Sequence, residues 1–369
     1  MNLLRITASE IPKFRRRLLA WFAARKRDLP WRRTSDPYRI WLSEIMLQQT
    51  RVAAVIPYYE RFLEAFPHVQ ALARASEDRV LANWAGLGYY SRARNLQRAA
   101  KEIVLRHGGE FPREYESALA LPGIGRYTTA AVLSIAYGAP HAVLDGNVAR
   151  VLARLGAQRG DLRAPGMWRK LETAAQDLLA TKSPGNWNQA MMELGATVCT
   201  PKSPRCEECP LERWCRARKL GIEETVLQPR KKRDTVDVTL AAAVFLDARG
   251  RTLLVRQPGG DGALFSRMWQ FPAIETSRSN ERAALAQYLR EKFDVEVNRN
   301  LTTLPAARHT VTFRNIRLEP YLIRVAQLPP VPGARAIPLA RIQGLPVSNA
   351  TRKIADAATI QQNEERQHS

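Results

Sequence analysis

Apolar residues recur at helical spacing through the first 220 residues of the chain. Ile40–Phe66 reads as helix interrupted near Pro57, and Glu77–His107 as helix broken by Gly86-Leu87-Gly88. Tyr115–Leu121, Arg126–Tyr137, Asn147–Leu155, Trp168–Leu179 and Asn188–Val198 continue the pattern, punctuated by Pro112, Pro122-Gly123, Pro140, Gly156 and Pro184-Gly185. After Leu220 the texture changes. Gln228–Asp234 is polar and charged and reads as a linker, whereas Val236–Leu246, Thr252–Val255, Thr310–Arg314 and Ile316–Val325 read as strands, with a helix over Glu281–Phe293. The pattern predicts a multi-domain chain: an all-α domain over 1–220, a linker over 221–235, an α+β domain over 236–355 and a disordered tail over 356–369, frayed from Gln361.

Composition narrows the function. The 369 residues suit two domains, and 45% apolar content is enough for packed cores. The net charge of +22 is spread over both halves, so a basic tail does not explain it. A polyanion is the natural partner and nucleic acid the leading one; the plainer reading is a soluble protein that happens to be basic. No apolar run approaches the roughly 20 residues that span a bilayer. No membrane association is expected, and Met1–Arg17 shows no signal peptide, so the expected compartment is the cytoplasm of a bacterium, at its nucleoid. There, clustered cysteines suggest metal rather than disulfides.

All four cysteines, Cys199, Cys206, Cys209 and Cys215, fall in a C-x6-C-x2-C-x5-C run. Thiolates suit an iron–sulfur cluster or zinc. Zinc sites usually come as two short Cys pairs, and only Cys206 and Cys209 form one here, so a cluster fits better while zinc stays open. Lys202, Arg205, Arg213, Arg216 and Arg218 surround the cysteines and would present cations to phosphate.

Three further pieces carry chemistry. Leu121-Pro122-Gly123-Ile124-Gly125-Arg126-Tyr127-Thr128 puts a Gly-x-Gly turn between helices. There, backbone N–H groups can approach a phosphate, although such a turn is often only a turn. Asp145 precedes a helix, where Asp is commonly a plain N-cap, yet the apolar segment before it suggests a cleft. Glu44 is a lone acid in a largely apolar helix, either on a solvated face or desolvated with a raised pKa, as a general acid requires.

Together the hairpin, the downstream Asp and the four-cysteine loop resemble the helix-hairpin-helix family of DNA glycosylases. Ser43-Glu44 with Met46-Leu47-Gln48-Gln49-Thr50, Gly86-Leu87-Gly88-Tyr89-Tyr90 and Asn188–Gly195 are similar, within that family, to the MutY type of adenine glycosylases. The resemblance is close over about residues 10–220 and looser beyond. It implies an all-α helix-hairpin-helix glycosylase domain with a [4Fe–4S] loop, and an α+β Nudix-like C-terminal domain. It also implies removal of adenine mispaired with 8-oxoguanine or guanine in double-stranded DNA, after extrusion of the base.

By the same resemblance, Glu44 is the general acid on adenine N7, Asp145 stabilises the oxocarbenium-like sugar, Asn147 orients Asp145 and Tyr127 lies beside them. Arg27, Trp31, Leu47 and Gln189 would line the adenine pocket, and Gln49, Thr50, Leu87 and Tyr89 would contact the duplex, with Gly123 and Gly125 at the hairpin. Cys199, Cys206, Cys209 and Cys215 would hold the [4Fe–4S] cluster. Bifunctional relatives carry a hairpin lysine. Here the position is Tyr127, and no Lys occurs between Lys101 and Lys170, which implies a monofunctional enzyme. A monomer is expected, with the linker as the place for replication or repair protein contacts.

The C-terminal half keeps Trp269-Gln270-Phe271-Pro272 of the family's Trp-x-Phe-Pro signature but lacks a glutamate-rich Nudix metal helix. Where the family shows Phe-Ser-His against 8-oxoguanine, this chain has Val311-Thr312-Phe313, and Thr312 keeps the hydroxyl. Two other functions remain: an endonuclease III-like enzyme for oxidised pyrimidines, disfavoured by Tyr127 and the extra domain, and an inactive DNA-binding protein, disfavoured by Glu44, Asp145 and Asn147 together.

Overall fold

The computed structural model describes residues 4, 6–226, 234–256, 268–277, 279–297, 301–311 and 313–367. The chain divides into two compact units, Met1–Ala75 with Ser91–Arg230, and Ser76–Tyr90 with Lys231–Ser369. The stretch 76–90, which the sequence pattern places in the helical domain, thus groups with the second unit. Residues 227–233 of the expected linker lie outside the described residues.

Helices follow one another through residue 219: α1 Ile11–Arg25, α2 Pro37–Leu47, α3 Val52–Ala65, α4 Val69–Arg74, α5 Glu77–Trp84, α6 Tyr90–Arg106, α7 Tyr115–Leu119, α8 Arg126–Tyr137, α9 Gly146–Leu155, α10 Pro165–Leu178, α11 Pro184–Thr197 and α12 Arg216–Lys219. α2 starts where Asp36 accepts a hydrogen bond from Tyr38 N–H and Pro37 fills the first helical position. Its residues Ile40 to Met46 are all buried, which explains its nearly continuous apolar character.

The break expected near Pro57 does not occur. α3 runs through Pro57, whose ring fixes a helical φ and costs one backbone bond. The chain breaks instead at Gln48–Arg51, with Gln49 at the left-handed φ of 58°. In the first unit Phe14, Leu18 and Phe22 of α1 pack with Val148, Val151 and Leu152 of α9 and with Trp187, Met191 and Leu194 of α11. The α7–α8 hairpin turns at Gly123, φ 75°, where a Cβ would sit 2.6 Å from Asn95 Cβ.

The second unit is α+β, as expected. Its strands are β1 Val236–Leu246, β2 Arg251–Arg256, β3 Trp269–Gln270, β4 Ala273–Thr276, β5 Leu301–Thr303, β6 Ala307–Val311, β7 Arg314–Arg324 and β8 Arg335–Pro338; its remaining helices are α13 Glu281–Phe293 and α14 Asn349–Gln367. One sheet runs β4-β1-β7-β5 with β6 also on β7, and another runs β3-β2-β8. β1 and β7 pair in parallel from Val236↔Arg314 to Leu246↔Arg324. Alternate β1 residues enter opposite cores, Ala241, Ala243 and Phe245 against Leu285 and Leu289 of α13, and Leu240, Ala242 and Val244 with Ile354 and Ala358 of α14. A strand covered on both faces reads as a continuous apolar run.

Two expectations need correction here. The strand read as Thr310–Arg314 is β6, which ends at Val311 and pairs through Val311↔Arg314 with β7, so the turn falls two residues earlier. Thr312 itself lies outside the described residues. The tail expected to be disordered from 356 is helical to Gln367, because Ile354, Ala355 and Ala358 bury one side of α14. Among the described residues no helix is long and apolar enough to cross a membrane.

Candidate active site

A cavity of about 480 Å3 opens in the first unit. Ten residues singled out from the sequence line it: Arg27, Trp31, Glu44, Leu47, Gln49, Thr50, Tyr127, Asp145, Asn147 and Gln189. They come from positions more than 160 residues apart, brought together by α2, α8, α9 and α11. Gly123 and Gly125 stay at the hairpin turn and do not line it. Leu87 is buried and Tyr89 is exposed, with φ 47°, in the stretch that groups with the second unit.

Glu44 is 6% exposed. Burial pushes its carboxyl up to about 7, reinforced by the charge of Asp145 and opposed by a hydrogen bond from Tyr127 and by Arg32. Tyr127, in the first turn of α8, donates through Oη to Glu44 Oε2 at 2.7 Å. Burial and the two carboxyls hold the Tyr127 phenol well above its ordinary range, so it remains a donor. With Oε2 occupied, Oε1 is the oxygen left to carry and deliver a proton.

Asp145 caps α9. Its Oδ1 accepts from Val148 N–H at 2.7 Å and its Oδ2 from Asn147 Nδ2 at 2.9 Å. Burial raises its carboxyl too, but these bonds favour the charged form. The Asn147 amide is itself fixed: its Oδ1 accepts from Arg150 Nη2 at 2.8 Å, and Arg150 also donates to Gly195 O and, through Nε, to Cys199 O, both at 2.8 Å. α11 approaches this turn so closely that a Cβ on Gly195 would lie 2.7 Å from Asn147 Cβ and 2.9 Å from Asn147 O. Only glycine leaves room there.

The cavity holds a third carboxylate, buried like Glu44 and absent from the expected set. Glu193 is bonded by Arg27 Nε at 2.7 Å and Nη2 at 2.8 Å, and by Arg32 Nη2 at 2.8 Å. Burial alone would raise the Glu193 carboxyl, but the two guanidiniums together pull it down to about 2. Arg27 is therefore an ion-paired wall. Glu193 falls inside the segment Asn188–Gly195 and Arg32 adjoins Trp31, but a pair 161 residues apart leaves no local signal.

The four cysteines are unbridged and partly buried, and Cys199, Cys209 and Cys215 pack against the helical core. Burial pushes the thiols of Cys206, Cys209 and Cys215 up, Cys209 to about 12, and the charges of the other cysteines push the same way. Four thiolates there need positive charge among them, which the irons of a cluster provide. Among the described residues no three His, Cys, Asp or Glu side chains are placed to hold a single metal ion. The sequence predicts that the nearby cations face phosphate, and two of them instead pair with carboxylates: Arg218 with Glu207, Glu212 and Glu223, and Arg205 with Glu208. Their acidic partners on the same loop take up the charge.

Residues 42–176 match the pattern of the HhH-GPD superfamily base excision DNA repair proteins, and residues 199–215 that of the iron–sulfur binding domain of endonuclease III. The chain is 36% identical to a human protein named adenine DNA glycosylase, over 94% of this chain and 74% of that one. It is 35% identical to the mouse protein of the same name, over 94% and 78%. Among solved structures, a thermostable thymine-DNA glycosylase superposes with a TM-score of 0.53 at 28% identity, covering 57% of this chain and 98% of its own.

Proposed function

This chain belongs to the adenine DNA glycosylases of base excision repair, and on that premise we propose that it removes adenine mispaired with 8-oxoguanine or guanine by hydrolysis alone, acting as a monomer. The observation that carries this reading is the pairing of Glu44 and Asp145 in one cavity, the first with its carboxyl raised to about 7, so that a large share keeps its proton near neutrality, and the second held by bonds that favour its charge.

Neutral Glu44, with Tyr127 on Oε2, delivers the Oε1 proton to N7 of the extruded adenine. Protonation makes the base a better leaving group and is worth roughly 10²–10⁴ in rate. As the N-glycosidic bond opens, positive charge grows on the sugar, and Asp145, aimed by Asn147, opposes it. Glu44, having lost its proton, then accepts one from the attacking water. Glu193 with Arg27 and Arg32 forms a polar wall of fixed orientation, and the Gln189 amide offers both a donor and an acceptor to the base edge. No lysine lines the cavity among the described residues, which supports hydrolysis without strand cleavage. Bound at Cys199, Cys206, Cys209 and Cys215, a [4Fe–4S] cluster supplies a cross-link that shapes the basic loop. Preference for 8-oxoguanine over guanine is assigned to the β6–β7 turn, through Thr312.

One end-labelled duplex experiment tests the whole reading. An 8-oxoguanine·A duplex should yield a product cut only after alkali, with no borohydride-trapped complex. Glu44→Gln should bind without product, and Thr312→Val should lower the rate ratio of 8-oxoguanine·A to G·A. Product from Glu44→Gln, efficient trapping or an unchanged ratio would each remove the corresponding part.

A further inference from the structure

Arg154, on α9, is only 2% exposed. Every hydrogen bond of its guanidinium goes to uncharged or sulfur acceptors. Nη1 donates to Cys199 Sγ at 3.2 Å and to Thr200 O at 2.7 Å, Nη2 to Pro201 O at 3.2 Å, and Nε to Glu223 O at 2.7 Å. The Glu223 carboxylate lies near enough to feel Arg154 but is bonded by Arg218 instead. A cation stripped of water normally requires a bonded carboxylate, and this one has none among the described residues. The acceptor that a bound cluster would hold as a thiolate is the Cys199 sulfur. The same residue meets a second cysteine through its backbone, with Cys215 Sγ 3.5 Å from Arg154 O.

The bonds also span the loop. Thr200 and Pro201 directly follow Cys199, and Glu223 lies beyond Cys215, so one side chain ties the entry of the cysteine loop to its exit.

We propose that Arg154 is the counter-ion of the cluster site: it stabilises the Cys199 thiolate, closes the loop and raises the reduction potential of the bound cluster. The proposal rests on the cluster assignment. A guanidinium N–H on a ligand sulfur favours the more negatively charged oxidation level, and so shifts the potential upward. Arg150 bonds the Cys199 carbonyl and feels Cys199 only through its charge, so the hydrogen bond to the sulfur belongs to Arg154.

The test uses the full chain purified with its cluster, comparing Arg154→Lys, which keeps the charge, with Arg154→Met, which does not. Arg16→Met, an exposed position on α1, is the control. Iron and sulfide per chain, bleaching of the visible absorption under chelator and the one-electron midpoint potential are measured. Arg154→Met should lose its cluster about 10–100-fold faster, with a potential shifted negative in the fraction that keeps it. Arg154→Lys should fall between it and the wild type, and Arg16→Met should match the wild type. Unchanged bleaching and potential in Arg154→Met would overturn the proposal. Where Arg154→Met is insoluble, Arg154→Lys carries the test, and wild-type bleaching and potential in that variant would overturn the proposal. Wild-type protein carrying zinc and no iron would instead remove the cluster assignment beneath it.

Discussion

Glu44 and Glu193 line the same cavity and are buried to nearly the same degree, 6% and 1% exposed, yet their carboxyls are displaced in opposite directions, to about 7 and about 2. The difference lies in their partners. Glu193 receives two guanidiniums; Glu44 receives one phenol and faces another carboxyl. Burial sets the cost of charge on both acids, and only Glu193, bonded by two guanidiniums, has it offset. One acid is built to stay ionised and hold shape, the other to hold a proton it can give away.

The strongest way to break this comparison is to exchange the stability roles of the two acids. Glu193→Gln would leave Arg27 and Arg32 without their anion and should destabilise the fold by about 3 kcal/mol, at the low end for a broken buried pair because Arg27 is 39% exposed. Because its folded pKa is depressed, the wild-type contribution of Glu193 is present above the ordinary carboxylate range and is lost as pH falls toward about 2. Glu44 behaves oppositely. Its folded pKa is raised, so its contribution is lost as pH rises through about 7, and Glu44→Gln should be the more stable protein above that pH by on the order of 3 kcal/mol. Urea denaturation of both variants from about pH 2 to about pH 8 measures each slope, that of Glu193 below the ordinary carboxylate range and that of Glu44 above it. Parallel pH dependences in the two would contradict the comparison.

A smaller effect should come from Gly195→Ala, which drives a methyl group into Asn147 and tilts the amide that aims Asp145. Single-turnover excision should fall by roughly tenfold or more, while binding of a duplex with a non-cleavable adenine analogue is retained. The smallest effect in rate, and the sharpest in kind, should come from Tyr127→Phe. The Tyr127 hydrogen bond lowers the Glu44 carboxyl, so its removal should move the alkaline limb of the rate profile to higher pH. A limb displaced to lower pH would mean that Tyr127 stabilises the proton rather than the charge.

Much of the site was legible in the sequence because its residues sit on local signals. Glu44 stands alone in an apolar helix, Asp145 precedes a helix as an N-cap, and the cysteines share one short loop. What stayed hidden depends on the fold alone. Glu193 and Arg32 look like ordinary surface charges, and Arg27 like a pocket residue without a partner, until α11 meets the turn after α1. The glycine needed at position 195 follows from the closeness of α11 and α9 and not from any turn. In the fold, Pro57 looked like a stop because its cost is local, while the packing that holds α3 together across it is not. α14 was missed because alanines make up much of its buried face, and alanine gives little contrast between apolar and polar positions.

The most direct test of the central claim, that Glu44 acts as a neutral acid, is the single-turnover rate of adenine release from an 8-oxoguanine·A duplex between about pH 5 and about pH 9. The rate should fall along a limb centred near 7 as Glu44 loses its proton, and Glu44→Gln should release no adenine at any pH in this range. A wild-type rate that is level through neutrality, or that rises with pH, would contradict it.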